Sequence, residues 1–96
     1  MNPQLLYKNI LEERKHVEEC RRTIANGRQT FDLVYYVTCI MIRHYTADEI
    51  KSDYDYLSKQ LDWLDKVTSR SLTISGQFYH EQVLKLKDEL GNKQRN

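Results

Sequence analysis

Histidine and cysteine at helical spacing are the first residues in this sequence that could support chemistry. His16 and Cys20 lie four positions apart, so a helix would place both on one face, as in half of a tetrahedral zinc site. The other two ligands would have to come from Cys39, His44 or His80, and no CxxC or HxxxH pair supplies them. An exposed histidine beside a buried thiol explains the spacing better, and we expect no metal or other cofactor.

Nucleophilic and phosphate-binding chemistry is also disfavoured. Cys39 lies in the most apolar run of the sequence, Leu33 to Ile42, where burial favours the unreactive thiol over the thiolate. No glycine-rich turn follows a predicted strand, so there is neither a phosphate-binding loop nor a nucleophile elbow. We therefore expect no enzymatic activity.

Aromatic residues give a clearer functional signal. Seven of the ten Phe, Trp and Tyr residues are tyrosines, and large rigid side chains with a polar group are common at binding hot spots. After residue 50 a second apolar line runs about 100° from the core line of a predicted helix. We predict a protein-binding surface there, made of Tyr56, Lys59, Gln60, Trp63 and Val67. The alternative is that Tyr56 and Trp63 complete a helical core.

Helices must position these side chains, and apolar spacing predicts them through most of the chain. A first helix is expected from Pro3 to about Ile24, and a second, capped by Thr30, from Phe31 to Tyr45. Asn26-Gly27 is a stop signal between them. Apolar positions nevertheless keep a seven-residue spacing through this dipeptide. A single long rod, turning back after Tyr45, is therefore the alternative.

The second predicted helix is apolar on nearly every side and needs cover on every side. One short chain has too little apolar partner surface to provide that cover, which predicts a homodimer. The predicted oligomer interface consists of Phe31, Val34, Tyr35, Tyr36 and Ile40.

The second half of the chain predicts two more helices. Thr46 to Glu49 form a capping box that opens a third helix. Hydroxyl residues dominate residues 68–76 and leave loop, strand and helix open. A last helix is expected from near Gln77, with Gly91 as its stop. The expected core stripes are Ile50, Tyr54, Leu57, Leu61 and Leu64 on the third helix and Tyr79, Val83, Leu86 and Leu90 on the last.

Length and composition limit what these elements build. Ninety-six residues suit one domain, residues 1–91, with a polar frayed tail over 92–96. The fold class expected is all-α: a three- or four-helix bundle or a long antiparallel helical hairpin, as a dimer. Two isolated cysteines without a secretory leader favour a cytoplasmic protein. The longest apolar run, ten residues, cannot cross a bilayer, and we expect no membrane partner.

The function favoured by these observations is stoichiometric binding to a macromolecular partner, with a protein as the expected partner. The protein would act as an adaptor, an inhibitor or an immunity-type protein. The sequence contains no catalytic motif that would indicate a substrate. A net charge of +1 gives no general attraction to nucleic acid.

Two alternatives belong to other classes. A winged-helix DNA-binding regulator would use Leu57 to Val67 as its recognition helix and Ser71 to Gln77 as its wing, but Asp62 and Asp65 would repel phosphates. An oligomeric binder of an anionic small ligand, such as a nucleotide, would pair Tyr7 with Lys8 or Arg43 with Tyr45.

Overall fold

The protein is all-α. The structure, a computed structural model, describes residues 3–95, with side chains described from Lys8 onward. The helices are α1 (Pro3–Ala25), α2 (Phe31–His44), a 3₁₀ helix (Lys51–Asp53), α3 (Tyr54–Ser69) and α4 (Ile74–Arg95). No strand occurs in residues 3–95, which confirms the predicted class. The chain divides into two compact units, up to Val37 and from Thr38 onward.

The break between α1 and α2 separates two helices. Gly27 has a φ of 93°, a left-handed conformation that costs other residues about 1 kcal/mol or more. Its N–H donates to Ile24 O at 3.0 Å, and the Arg28 N–H donates to Thr23 O at 3.2 Å, the two bonds of a Schellman motif. The single-rod alternative is therefore wrong. The seven-residue spacing of apolar residues continues past Ala25, where α1 ends, although the helix does not.

The first unit joins α1 to the first half of α2. Thr30 Oγ1 accepts the Leu33 N–H at 3.3 Å, which confirms the predicted cap of α2. The rings of His16 and Tyr36 lie 5.1 Å apart between the two helices. The buried apolar residues of this unit are Val17, Cys20, Val34 and Val37. Ile10, an apolar residue of α1, is exposed.

The predicted capping box forms in the second unit. Glu49 Oε1 accepts the Thr46 N–H at 2.8 Å, and Thr46 Oγ1 accepts the Glu49 N–H at 3.2 Å. The chain then makes i→i−3 bonds, including Asp53 N–H to Ile50 O at 2.8 Å, so a 3₁₀ turn precedes the α-helix. α3 starts at Tyr54, later than predicted. Ile50 is fully buried as expected.

α3 and α4 pack as an antiparallel hairpin joined by residues 70–73. Their facing sides bury Leu57, Leu61, Leu64 and Thr68 on α3 and Val83, Leu86 and Leu90 on α4. The predicted stripes are confirmed at these positions. Tyr54, inside its predicted stripe, is half-buried, and Tyr79, at the start of the α4 stripe, is exposed.

α4 is longer at both ends than predicted. Thr73 caps it: Thr73 Oγ1 accepts the Gly76 N–H and Thr73 O the Gln77 N–H, each at 3.0 Å. The helix therefore begins at Ile74. Gly91 does not end it, because it does not adopt the positive φ that a glycine stop requires. Residues 92–95 are helical, and Asn96 lies outside the described residues. Fraying of this polar end stays a prediction.

Candidate functional site

The predicted protein-binding line on α3 is partly exposed. Tyr56, Gln60 and Trp63 are half-buried, while Lys59 and Val67 are exposed. The Tyr56 hydroxyl oxygen itself is buried. The line thus combines two half-buried aromatic side chains with two exposed ones, on a helix whose core line buries Leu57, Leu61 and Leu64.

The residues of the predicted oligomer interface on α2 are more buried than those of the α3 line. Val34 is fully buried within the chain and offers no surface to a second copy. Phe31, Tyr35, Tyr36 and Ile40 are half-buried. The rings of Phe31 and Tyr35 stack at 5.6 Å. Burial in this region raises the pKa of the Tyr36 hydroxyl, and Glu13 and Cys20 add to the effect.

The largest apolar exposure among the described residues lies where α3 meets α4. Leu72 is 94% exposed and Ile74 88%, and Phe78 is 54% exposed. Val67 and Tyr79 are exposed beside them in sequence. The rings of Phe78 and Tyr79 contact edge to face at 5.7 Å. We call residues 66–80 the hairpin tip.

The polar groups of the hairpin tip bond largely to one another. The Ser71 and Thr73 hydroxyl oxygens lie 2.9 Å apart, and the Thr73 N–H donates to Ser71 Oγ at 3.3 Å. The Ser71 N–H donates to Thr68 O at 3.1 Å, and the Ser69 hydroxyl donates to Lys66 O at 3.2 Å. The hydroxyl groups that made this segment look irregular in the sequence are thus the groups that close the loop.

The hairpin tip carries no negative charge. Lys66 and Arg70 are its strong bases, His80 lies at its end, and no Asp or Glu occurs from residue 66 to residue 80. Both strong bases are exposed. The segment therefore combines exposed apolar side chains with unopposed positive charge.

A polar network joins α3 to α4 at the end of the hairpin tip and in the residues next to it. Lys87 Nζ donates to Asp65 Oδ2 at 2.7 Å and lies 3.4 Å from Asp62 Oδ1. His80 Nδ1 lies 3.0 Å from Thr68 Oγ1 and 3.5 Å from Asp65 Oδ1. The hydrogen bond to Asp65 is the main cause that raises the pKa of Lys87. Both His80 contacts use one ring nitrogen, so the geometry is not a relay from hydroxyl to carboxylate.

His16 and Cys20 do share a helix face, as their spacing predicts. Cys20 Sγ lies 3.7 Å from His16 Nε2. Burial, with a contribution from Glu19, raises the pKa of the Cys20 thiol, which favours the unreactive form. Within residues 3–95 no group of three or more His, Cys, Asp and Glu side chains is placed to hold a metal ion.

Of the residues suggested for an anionic ligand, Arg43 and Tyr45 are otherwise engaged. Arg43 Nε donates to Glu89 Oε2 at 3.1 Å, and Tyr45 is buried. Lys93 Nζ donates to the Tyr45 carbonyl oxygen. Lys8 is exposed, and the Tyr7 side chain lies outside those described. An open depression of about 310 Å³ is lined by Ile42, Arg43, Glu89, Asn92 and Lys93.

The structure also bears on the winged-helix alternative. α3 runs unbroken from Tyr54 to Ser69, so no turn separates a positioning helix from a recognition helix. Residues 71–77, the expected wing, form a loop and the first turn of α4. The parts that define a winged helix are therefore missing from this segment, and duplex binding itself stays a hypothesis.

Sequence reasoning missed the hairpin tip as a surface. It treated residues 68–76 as irregular and Tyr79 as core. The usable signal was the pair Leu72 and Ile74 among hydroxyl residues, within fifteen positions that lack an acid.

Comparisons with protein-family models, with curated proteins and with solved structures find no match to this chain. Along the described helices, none is both long enough and apolar enough to pass through a bilayer.

Proposed function

We propose that this protein has no catalytic activity and acts by binding a protein partner in stoichiometric amounts, as an adaptor, an inhibitor or an immunity-type protein. The observation that supports the proposal is the α3 line, where Tyr56 and Trp63 are only half-buried and exposed Lys59 and Val67 lie beside them on the helix. Half-exposed aromatic rings with charged neighbours suit the centre and rim of a protein interface.

The mechanism is burial of the two aromatic rings against the partner. Completing the burial of each ring adds apolar contact, and Lys59 and Gln60 set the register at the rim. The core line of the same helix, Leu57, Leu61 and Leu64, is essentially fully buried and anchors α3 by packing. Because the backbone of α3 is already helical, binding orders side chains but does not have to order this segment of backbone.

We propose further that the helices assemble as a bundle and that the protein is a cytoplasmic homodimer. The half-buried side chains Phe31, Tyr35, Tyr36 and Ile40 on α2 support self-association.

The test is affinity capture from the native host with cross-linking, followed by reconstitution with the identified protein. We expect Y56A and W63A to weaken partner binding at least about tenfold, as hot-spot truncations do, while the circular dichroism spectrum is retained. L84S, which changes an exposed apolar residue on α4, is the matched control and should bind normally.

Two results would contradict this proposal. One is a partner whose affinity is unchanged in both aromatic variants. The other is a loss of helicity in Y56A and W63A under the conditions of capture, because these rings would then be core residues. Native mass spectrometry of the reconstituted complex should give a fixed ratio of the two chains.

A further inference from the structure

We propose that the hairpin tip docks on the surface of an anionic lipid bilayer. Leu72, Ile74 and Phe78 enter the headgroup and upper acyl region, and Lys66 and Arg70 meet lipid phosphates. The protein then lies on the membrane without spanning it. This surface is distinct from the aromatic residues of the α3 line, so the inference does not rest on the proposed protein partner.

The first argument is apolar exposure at a protruding position. Leu72 lies in the four-residue loop and Ile74 at the first position of α4, and both are almost fully exposed. Phe78 follows Ile74 by four residues and shares its helix face. Isolated exposed apolar residues need no explanation, but several within seven positions at the end of a hairpin mark an interaction site.

The second argument is charge. Anionic leaflets attract basic residues close to the membrane surface, and the hairpin tip has Lys66 and Arg70 without an acid among its residues. The acids next to it are Asp65 and Glu81. Asp65 is bonded to Lys87 and contacts His80, which reduces its repulsion of phosphates, whereas Glu81 is exposed and lies beyond the apolar residues.

The third argument is hydrogen bonding. A backbone group that enters a bilayer without a partner costs several kcal/mol. In the hairpin tip the N–H groups of Ser71, Thr73, Gly76 and Gln77 all have partners within the segment. The Ser71 and Thr73 hydroxyl groups also pair. The loop can therefore enter a region of low polarity without exposing these groups.

A lipid surface fits this shape better than a protein does. A protein would need a pocket matched to two projecting side chains, whereas lipid headgroups rearrange around them. The sequence-based expectation of no membrane partner rested on the ten-residue length of the apolar run. Length decides whether a helix spans a bilayer, and it does not decide whether a loop inserts into its surface.

The test uses the full chain and unilamellar vesicles of phosphatidylcholine alone or mixed with phosphatidylglycerol. Trp63 is the only tryptophan, so W63F/L72W places a single indole at the hairpin tip. We expect this variant to co-sediment with anionic vesicles. Its emission should shift to the blue, and lipids brominated on the upper acyl chain should quench it. Neutral vesicles should give a much weaker response.

Matched variants separate insertion from charge attraction. L72S/I74S/F78S should lower the partition coefficient for anionic vesicles at least about a hundredfold, because its apolar insertion is lost. K66E/R70E should lower it at least about tenfold. The controls are L84S and K51E/K85E, which change exposed residues outside the hairpin tip by the same chemistry and should bind as wild type.

Three outcomes would overturn the inference. The first is no binding of wild type to anionic vesicles at low ionic strength. The second is equal weakening by K51E/K85E and K66E/R70E, which would show attraction to net charge alone. The third is a change of molar mass in L72S/I74S/F78S by light scattering without vesicles, because the hairpin tip would then contact a second copy. A protein ligand that occupies the hairpin tip in place of lipid would also appear as the first outcome.

Discussion

At the scale of single residues, the network around Lys87 offers the most direct test of the structure. Lys87 bridges Asp62 and Asp65, and its pKa is raised above its ordinary value, chiefly by the hydrogen bond to Asp65. The side chain is 34% exposed, so solvent screening limits its contribution to about 1 kcal/mol or less. Lys87→Met should therefore lower the melting temperature modestly at neutral pH.

The same variant has a defined pH dependence. A raised pKa in the folded state stabilises the fold below the unfolded value, about 10.4, and the stabilisation is lost as pH rises through the folded value. The difference in melting temperature between wild type and Lys87→Met should thus be steady from pH 7 to pH 9, which is more than one unit below the unfolded pKa, and should shrink once pH exceeds that pKa. Lys85→Met, at an exposed position, serves as control. A difference that grows in alkali would contradict the ion-pair geometry.

Cys20 should be unreactive in the folded protein. It is buried, and burial together with Glu19 raises the pKa of its thiol, which keeps the nucleophilic thiolate scarce at neutral pH. Labelling with iodoacetamide followed by peptide mass spectrometry should leave Cys20 unmodified in native buffer and alkylate it fully in denaturant. Rapid native labelling would mean that α1 does not bury this side chain.

At the scale of elements, glycine shows what spacing can and cannot predict. Gly27 and Gly91 both follow predicted helices, but only Gly27 has a positive φ, and only there does the helix end. The stop at Gly27 is completed by two backbone hydrogen bonds. Glycine can adopt the positive φ that ends a helix, but the helix ends only where neighbouring backbone groups also form the closing hydrogen bonds.

Gly76 has a specific role in the loop between α3 and α4. A Cβ on Gly76 would lie 1.8 Å from Ser71 Oγ and 2.3 Å from Ser71 Cβ. Alanine normally stabilises a helix by about 1 kcal/mol relative to glycine. Here Gly76→Ala should instead lower the free energy of unfolding by about 1–2 kcal/mol, because Ser71 must move and its bonds to Thr73 are lost. Chemical denaturation measures this change.

A double variant checks the cause of that loss. Ser71→Gly removes both clashing atoms, so Gly76→Ala should cost less in the Ser71→Gly background than in wild type, as a double-mutant cycle would show. Equal costs in the two backgrounds would mean that Ser71 does not pack on Gly76.

The third and fourth helices show the limits of sequence reasoning at this scale. The regular spacing of Leu57, Leu61 and Leu64 predicted a buried stripe, and all three are buried. The start of α4 escaped prediction because its cap pairs Thr73 with the Gly76 backbone, without the acidic side chain that makes a capping box recognisable. The 3₁₀ turn before α3 escaped because i→i−3 and i→i−4 bonding leave nearly the same sequence pattern.

At the scale of the whole molecule, the all-α class was predictable from the sequence, and the proposed binding surfaces were predictable only in part. Aromatic spacing led to Tyr56 and Trp63, and both are half-buried rather than fully buried. The hairpin tip was not predicted, because Leu72 lies in a loop, Ile74 lies before the expected start of the last helix, and a sequence alone does not reveal exposure. The type of an apolar residue in a loop does not indicate whether its side chain is buried or exposed.

The oligomeric state gives a prediction at this scale. If the half-buried α2 residues contact a second copy, light scattering should give about twice the chain mass of 11.6 kDa, and Tyr35→Glu should shift the mass toward that of one chain. Tyr79→Glu, an exposed position on α4, should leave the dimer intact. A constant monomer mass at high micromolar concentration would contradict the prediction.

The bend after α1 has a practical consequence for protein engineering. Residues 25–30 are all exposed, and the space around Gly27 is open to 4 Å. The bonds that end α1 reach no further than Arg28, and the cap of α2 starts at Thr30. A short foreign peptide inserted between Arg28 and Gln29 would leave both helix ends intact. Such a graft would carry a dye or an affinity handle without changing any residue of the two proposed binding surfaces, which lie within residues 56–80.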